Sequence, residues 1–90
     1  MATNGNGVMG RKIASPMDML ENLLAHGVHI KCRNGRELRG VLHAYDEHLN
    51  VVVSGVEETN NVPGQVAQTR HMDMLYVRGD AVTMITKVGI

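Results

Sequence analysis

The spacing of apolar residues changes once in this chain, at Gly27, and that change limits what can be built. Before it, Met17, Leu20, Leu23 and Leu24 recur at helical spacing, while Glu21 and Asn22 point away. After it the period is two: Val28, Ile30 and Cys32 face one way and His29, Lys31 and Arg33 the other. A short amphipathic helix that gives way to half-buried strands requires a mainly β fold, with the helix covering part of the sheet. The helix start is marked by Ser15-Pro16-Met17-Asp18: Ser15 caps orphan N–H groups, Pro16 suits the first helical position and Asp18 the first turn. Gly27 is expected to end it.

Strands are expected from there on. Asn34-Gly35 predicts a two-residue hairpin turn, since both positions tolerate positive φ. The return strand runs from about Arg36 to Tyr45, with Gly40 inside it where a missing side chain permits a sharp bend. Asp46-Glu47-His48 interrupts it, and Leu49 to Val53 is rich in β-branched residues. Thr59 to Arg70 reads as a loop, broken by Asn60-Asn61 and Pro63-Gly64. Met72 to Val77 and Ala81 to Lys87 read as strands joined by a tight turn at Arg78-Gly79-Asp80. One helix and five short strands, with a bend point in the longest, predict a small, strongly curved sheet or partly open barrel.

Ninety residues make one domain. The chain has no Trp, no Phe and two Tyr, so the core is expected to be aliphatic. Such a core is marginal at this size, which suggests that stability depends in part on a partner surface. The single cysteine, Cys32, alternates with core residues and reads as one of them, in a reducing compartment. No apolar run approaches a membrane span, so the expectation is a soluble intracellular protein without a membrane partner. Residues 1–14, rich in Gly and Asn, read as a flexible tail.

Catalytic chemistry finds no footing. The histidines at 26, 29, 43, 48 and 71 are scattered, and no Cys/His/carboxylate set completes a metal shell. No phosphate-cradling glycine motif or nucleophile elbow is present, so neither an enzyme nor a cofactor is expected. Arg78-Gly79-Asp80 spells an adhesion tripeptide, but a turn between strands accounts for it.

Two polar segments remain, Asp46 to Asn50 and Arg78 to Asp80. Both can be ordinary turns with solvated ions. They also carry the chemistry to hold one unpaired base. Asn50 offers a donor and an acceptor that match uracil, while His48 and Arg78 offer flat groups for stacking. Asp46 would hold Asn50 or Arg78 in place. Stacking contributes ~1–3 kcal/mol per base, so such a site gains from repetition around a ring.

Lys+Arg and Asp+Glu number nine each, which excludes a broad basic coat for nucleic acid. The charge is nevertheless segregated. Lys31, Arg33, Arg36 and Arg39 lie within nine residues, whereas Asp46 to Glu58 holds four acids and no Lys or Arg. Affinity of a pocket-based binder should therefore depend less on salt than that of a basic patch.

Val28 to Lys31, Asn34 to Leu42, Tyr45-Asp46 and Leu49-Asn50 together resemble the first Sm motif, and Leu75 to Val82 resembles the second. On these residues the chain is similar to the Sm-like (LSm) proteins. Arg36 to Gly40, His43 to Asp46, His48 to Asn50, Val56 to Glu58 and Val77 to Asp80 resemble the subunit-three branch of that family. The resemblance implies an Sm domain over 15–90, with its first motif at about 28–58, a variable loop at 59–71 and its second motif at about 72–87. It implies a mainly β Sm fold, a short N-terminal α-helix followed by a strongly bent five-stranded antiparallel open barrel. Members form rings, usually of seven, by pairing the fourth strand of one subunit with the fifth of the next. RNA-binding positions carried over are Asp46, His48, Asn50, Arg78, Gly79 and Asp80. The implied role is a non-catalytic subunit that binds oligouridine ends such as that of U-six small nuclear RNA. It would serve splicing in the nucleus and mRNA decay in the cytoplasm. Implied partners are unlike LSm subunits in a heteroheptamer, with neighbours resembling subunits two and six, and the isolated chain would be able to homo-oligomerise. The alternatives are a different Sm-type subunit, from a core splicing or homomeric ring, and a barrel that only mediates protein contacts.

Overall fold

The computed structural model describes residues 15–89, and the tail expected over 1–14 lies outside the described residues. The helix α1 spans Pro16–Leu23. Ser15 Oγ accepts from the Asp18 N–H at 3.2 Å and Pro16 stands at the first helical position, as the sequence predicts. A cap of this kind contributes about 1 kcal/mol. Leu20 is fully buried, and Met17, Leu23 and Leu24 are half-buried on the same side.

The helix stops before the expected terminator. Leu24 turns extended (ψ 137°) and Ala25 takes a left-handed φ of 66°. The Ala25 N–H donates to the Leu42 carbonyl at 2.8 Å and the Leu42 N–H donates to the His26 carbonyl at 3.0 Å. The sheet thus captures the chain ahead of Gly27, which becomes the first residue of a strand.

Five strands follow: β1 (Gly27–Cys32), β2 (Arg36–Tyr45), β3 (Val51–Asn60), β4 (Gln68–Val77) and β5 (Val82–Lys87). All are antiparallel, in the order β4-β3-β2-β1-β5, so β4 and β5 end the sheet as unpaired edges. The β1–β2 connection is a three-residue turn, Arg33–Gly35, and not the expected two-residue one. Asn34 and Gly35 do adopt positive φ, 64° and 77°.

The bend lies where Gly40 predicts it. The β2–β3 register shifts between Arg39 and Val41 and again between Leu42 and Ala44. A Cβ on Gly40 would stand 2.7 Å from the Ser54 carbonyl oxygen, so only glycine lets β3 come this close. The bend curls the long strands until β3 and β5 share one interior. Val28, Ile30, Leu38 and Leu42 there meet Val51, Val53, Val56 and Val77, and Leu20 closes the end. Each fully buried aliphatic side chain contributes about 1.5–3 kcal/mol. Cys32 belongs to this core, and burial pushes its thiol pKa up.

The reading of Thr59 to Arg70 as a loop needs correction. β3 continues to Asn60 and β4 starts at Gln68, with Thr59 opposite Thr69 and Asn60 opposite Gln68, which leaves residues 61–67 as the connection. The polar side chains hid a paired backbone. Glu58 adds a tether here: its buried carboxylate accepts from Arg36 Nε on β2 and from Arg70 Nε on β4. At its other end β3 begins at Val51 rather than Leu49, which takes a left-handed φ of 63° in the preceding turn.

Candidate nucleic-acid interface

The turn from β2 to β3 is organised by Asp46. Its Oδ1 accepts from the backbone N–H groups of His48 (2.9 Å) and Asn50 (3.1 Å), while its Oδ2 accepts from Asn50 Nδ2 at 2.9 Å. Two backbone bonds close the same turn, from Asp46 N–H to the Asn50 carbonyl and from Leu49 N–H to the Asp46 carbonyl. These donations, led by the Asn50 side-chain amide, hold the Asp46 carboxyl below its usual pKa.

The turn from β4 to β5 reaches this one through a single bond. The Gly79 N–H donates to Asn50 Oδ1 at 2.7 Å. The approach is tight: a Cβ on Gly79 would fall 2.2 Å from the His48 carbonyl oxygen. Asn50 therefore has both ends of its amide engaged. Asp46 can only accept and a backbone N–H can only donate, so the orientation of the amide follows from its neighbours. One N–H and one acceptor lone pair of that amide remain for a ligand.

Beside it, the Arg78 guanidinium donates to Asp80 Oδ2 at 3.2 Å, and both side chains are exposed. His48, Asn50, Tyr76, Arg78 and Asp80 line one open depression of about 560 Å³. Of the six residues singled out in the sequence, four face this depression. Asp46 and Gly79 lie outside its lining and act through their bonds to Asn50. Asp46 holds Asn50 and not Arg78, whose partner is Asp80. Tyr76 is the residue that sequence reasoning passed over. A signal for it exists, because β4 turns Val77 into the core and so directs the adjacent aromatic outward, beside Arg78.

The arrangement combines a fixed amide, a planar guanidinium and two flat rings at one opening. Such a set can read the edge of a base and cover its faces. Among the described residues no group of His, Cys, Asp and Glu is placed to hold a metal ion.

A helix on a bent five-stranded antiparallel sheet, with two turns meeting at Asn50 and Gly79, is the Sm fold. The Pyrococcus abyssii Sm protein, solved in complex with a uridine heptamer, superimposes with a TM-score of 0.70 at 32% identity, over 83% of this chain and 100% of that one. A heptameric archaeal Sm protein gives 0.67 at 28% identity, over 80% and 98%. The chain belongs to the LSM domain family, which it matches over residues 18–87. It is 40% identical over 82 residues to LSM complex subunit lsm3 of Schizosaccharomyces pombe, covering 81% of this chain and 88% of the relative. It is 41% identical over 83 residues to the probable U6 snRNA-associated Sm-like protein LSm3 of Dictyostelium discoideum, covering 82% and 86%.

Proposed function

We propose that this chain is a non-catalytic, RNA-binding subunit of an LSm ring, which takes one unpaired uridine in the depression between its two turns. The observation that carries the reading is the Asn50 amide, fixed by Asp46 on one side and Gly79 on the other at the opening that His48 and Arg78 share. Its remaining N–H and lone pair match a carbonyl and the N3–H of uracil. Cytosine carries an acceptor where uracil carries that N–H, so the same amide discriminates between them. His48 and Arg78 supply stacking surfaces for the base.

The ring follows from the two unpaired edges. β4 of one subunit extends the sheet through β5 of the next, a contact that satisfies both edges when it closes. Exposed Met74 on β4 and Met84 on β5 give this pairing apolar side chains to bury. The archaeal heptamer and the Sm protein with its uridine heptamer support seven members and a uridine ligand. The lsm3 relative, named as a subunit of an LSM complex, supports a place among other LSm subunits, and the neighbours this reading assigns are ones resembling subunits two and six. The corresponding cellular roles are binding of the oligouridine end of U-six RNA during splicing in the nucleus, and mRNA decay in the cytoplasm.

In the assembled ring, Asn50→Ala and Arg78→Ala should each weaken oligouridine binding and leave the ring intact by native mass spectrometry. Wild-type affinity in both variants overturns the proposed site.

A further inference from the structure

The depression that holds the base has a neighbour. A second one, polar and about 460 Å³, is lined among others by Arg33, Asn34, Arg36, Asn60 and Asp80. Asp80 is the wall common to the two. The second depression lies where the tip of the β1–β2 turn and the end of β3 meet the start of β5. It gathers part of the basic stretch from Lys31 to Arg39 that the base site leaves unused.

The local charge is positive in a chain whose total is zero. The linings of the two depressions hold three guanidiniums, of Arg33, Arg36 and Arg78, against one carboxylate, of Asp80. Glu58 holds Arg36 and Arg70 at once, and Asp80 is occupied by Arg78. Arg33 makes no ion pair or side-chain hydrogen bond to the described residues, and it is exposed at the turn tip. Arg36 is different. Its tie to the buried Glu58 fixes its position while about a third of its side chain remains exposed. Asn34 and Asn60 add amide donors. An exposed cation, an anchored cation and neutral donors around one hollow suit a phosphodiester, and no aromatic ring lines it to stack a second base.

We infer that Arg33 and Arg36 form a backbone subsite that holds the phosphodiester adjoining the uridine bound beside Asn50. The inference rests on the base-site reading above. The two depressions divide the work: the one at Asn50 reads the base, and the one at Arg33 fixes the strand's position without regard to sequence.

The test uses the full chain in its assembled ring, with Arg33→Gln as the main variant, since the residue is exposed and outside the core. Binding of fluorescent oligouridine is measured across a salt series. The expected result is weaker binding at low salt by about 3–10-fold. The slope of log affinity against log salt should fall by roughly 0.7, the single-strand value for one phosphate contact. Preference for oligouridine over oligocytidine should stay at the wild-type ratio. Asn50→Ala should do the opposite, losing the preference and keeping the slope. Oligouridine with an uncharged methylphosphonate backbone should bind the wild-type and Arg33→Gln rings alike. A wild-type slope and affinity in Arg33→Gln overturns the subsite, as does an equal loss for the uncharged backbone. If Asn50→Ala and Arg78→Ala leave affinity unchanged while Arg33→Gln flattens the slope, the base site fails and the phosphate contact stands.

Discussion

At the scale of single residues, two carboxylates do opposite things with the same chemistry. Asp46 is exposed and directs its hydrogen bonds to orienting Asn50, which it could not do from a flexible side chain without the closed turn around it. Glu58 is 2% exposed and gives its two oxygens to arginines from the strands on either side. The Arg70 hydrogen bond, with help from Arg36, holds the Glu58 carboxyl below its usual pKa despite burial. Its ionised form is thus favoured more in the folded state than in the unfolded chain. That contribution is complete above the unfolded glutamate value of ~4.3 and is lost as pH falls through the lower folded value. Glu58→Gln should lower stability by about 1–3 kcal/mol at neutral pH, by loss of charge-assisted hydrogen bonds. The difference from wild type should shrink on acidification. Urea unfolding at fixed protein concentration reads both effects, and a difference that grows below pH ~4 would contradict the sign. Asp46 titrates with the same sign.

At the scale of elements, legibility depends on which surface an element faces. α1 and β1 each show one apolar side to the core, and their periodicity alone marks them as helix and strand. The ends of β3 and β4 have polar side chains on both faces, so nothing in their pattern distinguishes a strand from a loop. Their pairing is a property of two segments together, and only the backbone register reveals it. Gly40 is legible as a bend because a glycine inside a strand has few other uses. Gly79 stands out through family resemblance, and the structure supplies the physical reason. Gly79→Ala would drive a methyl group into the His48 carbonyl, a backbone atom that cannot step aside alone. The two turns should separate, breaking the Gly79–Asn50 bond, so oligouridine affinity should fall at least as far as in Asn50→Ala while circular dichroism keeps its β signature. Full affinity in Gly79→Ala would mean that the two turns need not touch for binding.

At the scale of the whole molecule, the sheet is unfinished. Its order leaves β4 and β5 at the ends, and Met74, Tyr76 and Met84 are exposed near them. A groove between α1 and β5, lined by Met19, Leu20, Leu23, Met84 and Ile85, lies beside one of these edges. An aliphatic core without disulfides gains from covering such surface. Met74→Glu should shift the assembled chain toward monomer, since ring closure would bury an unpaired carboxylate. Analytical ultracentrifugation would show the shift, and an unchanged sedimentation coefficient would exclude the β4 edge from the contact. The charge pattern also changes meaning at this scale. Cations near the first turn and acids on β3, far apart along the chain, meet across strands at Arg36 and Glu58, and Arg39 is the register partner of Glu57.

The sequence by itself determined the helix start at Ser15, the inward face of β1, the bend at Gly40 and the two polar turns. Each of these is set by local sterics, capping or alternation within a few residues. The tertiary structure alone decided that the turns meet through Asn50 and Gly79, and that Tyr76 joins their opening. It alone placed Arg33 and Arg36 next to Asp80 and buried Glu58 between two arginines. The hydrogen bonds among these join residues 12 to 29 positions apart, and no local preference encodes them. They exist because β2, β3 and β4 lie side by side, so that pairing across adjacent strands brings together residues distant in sequence.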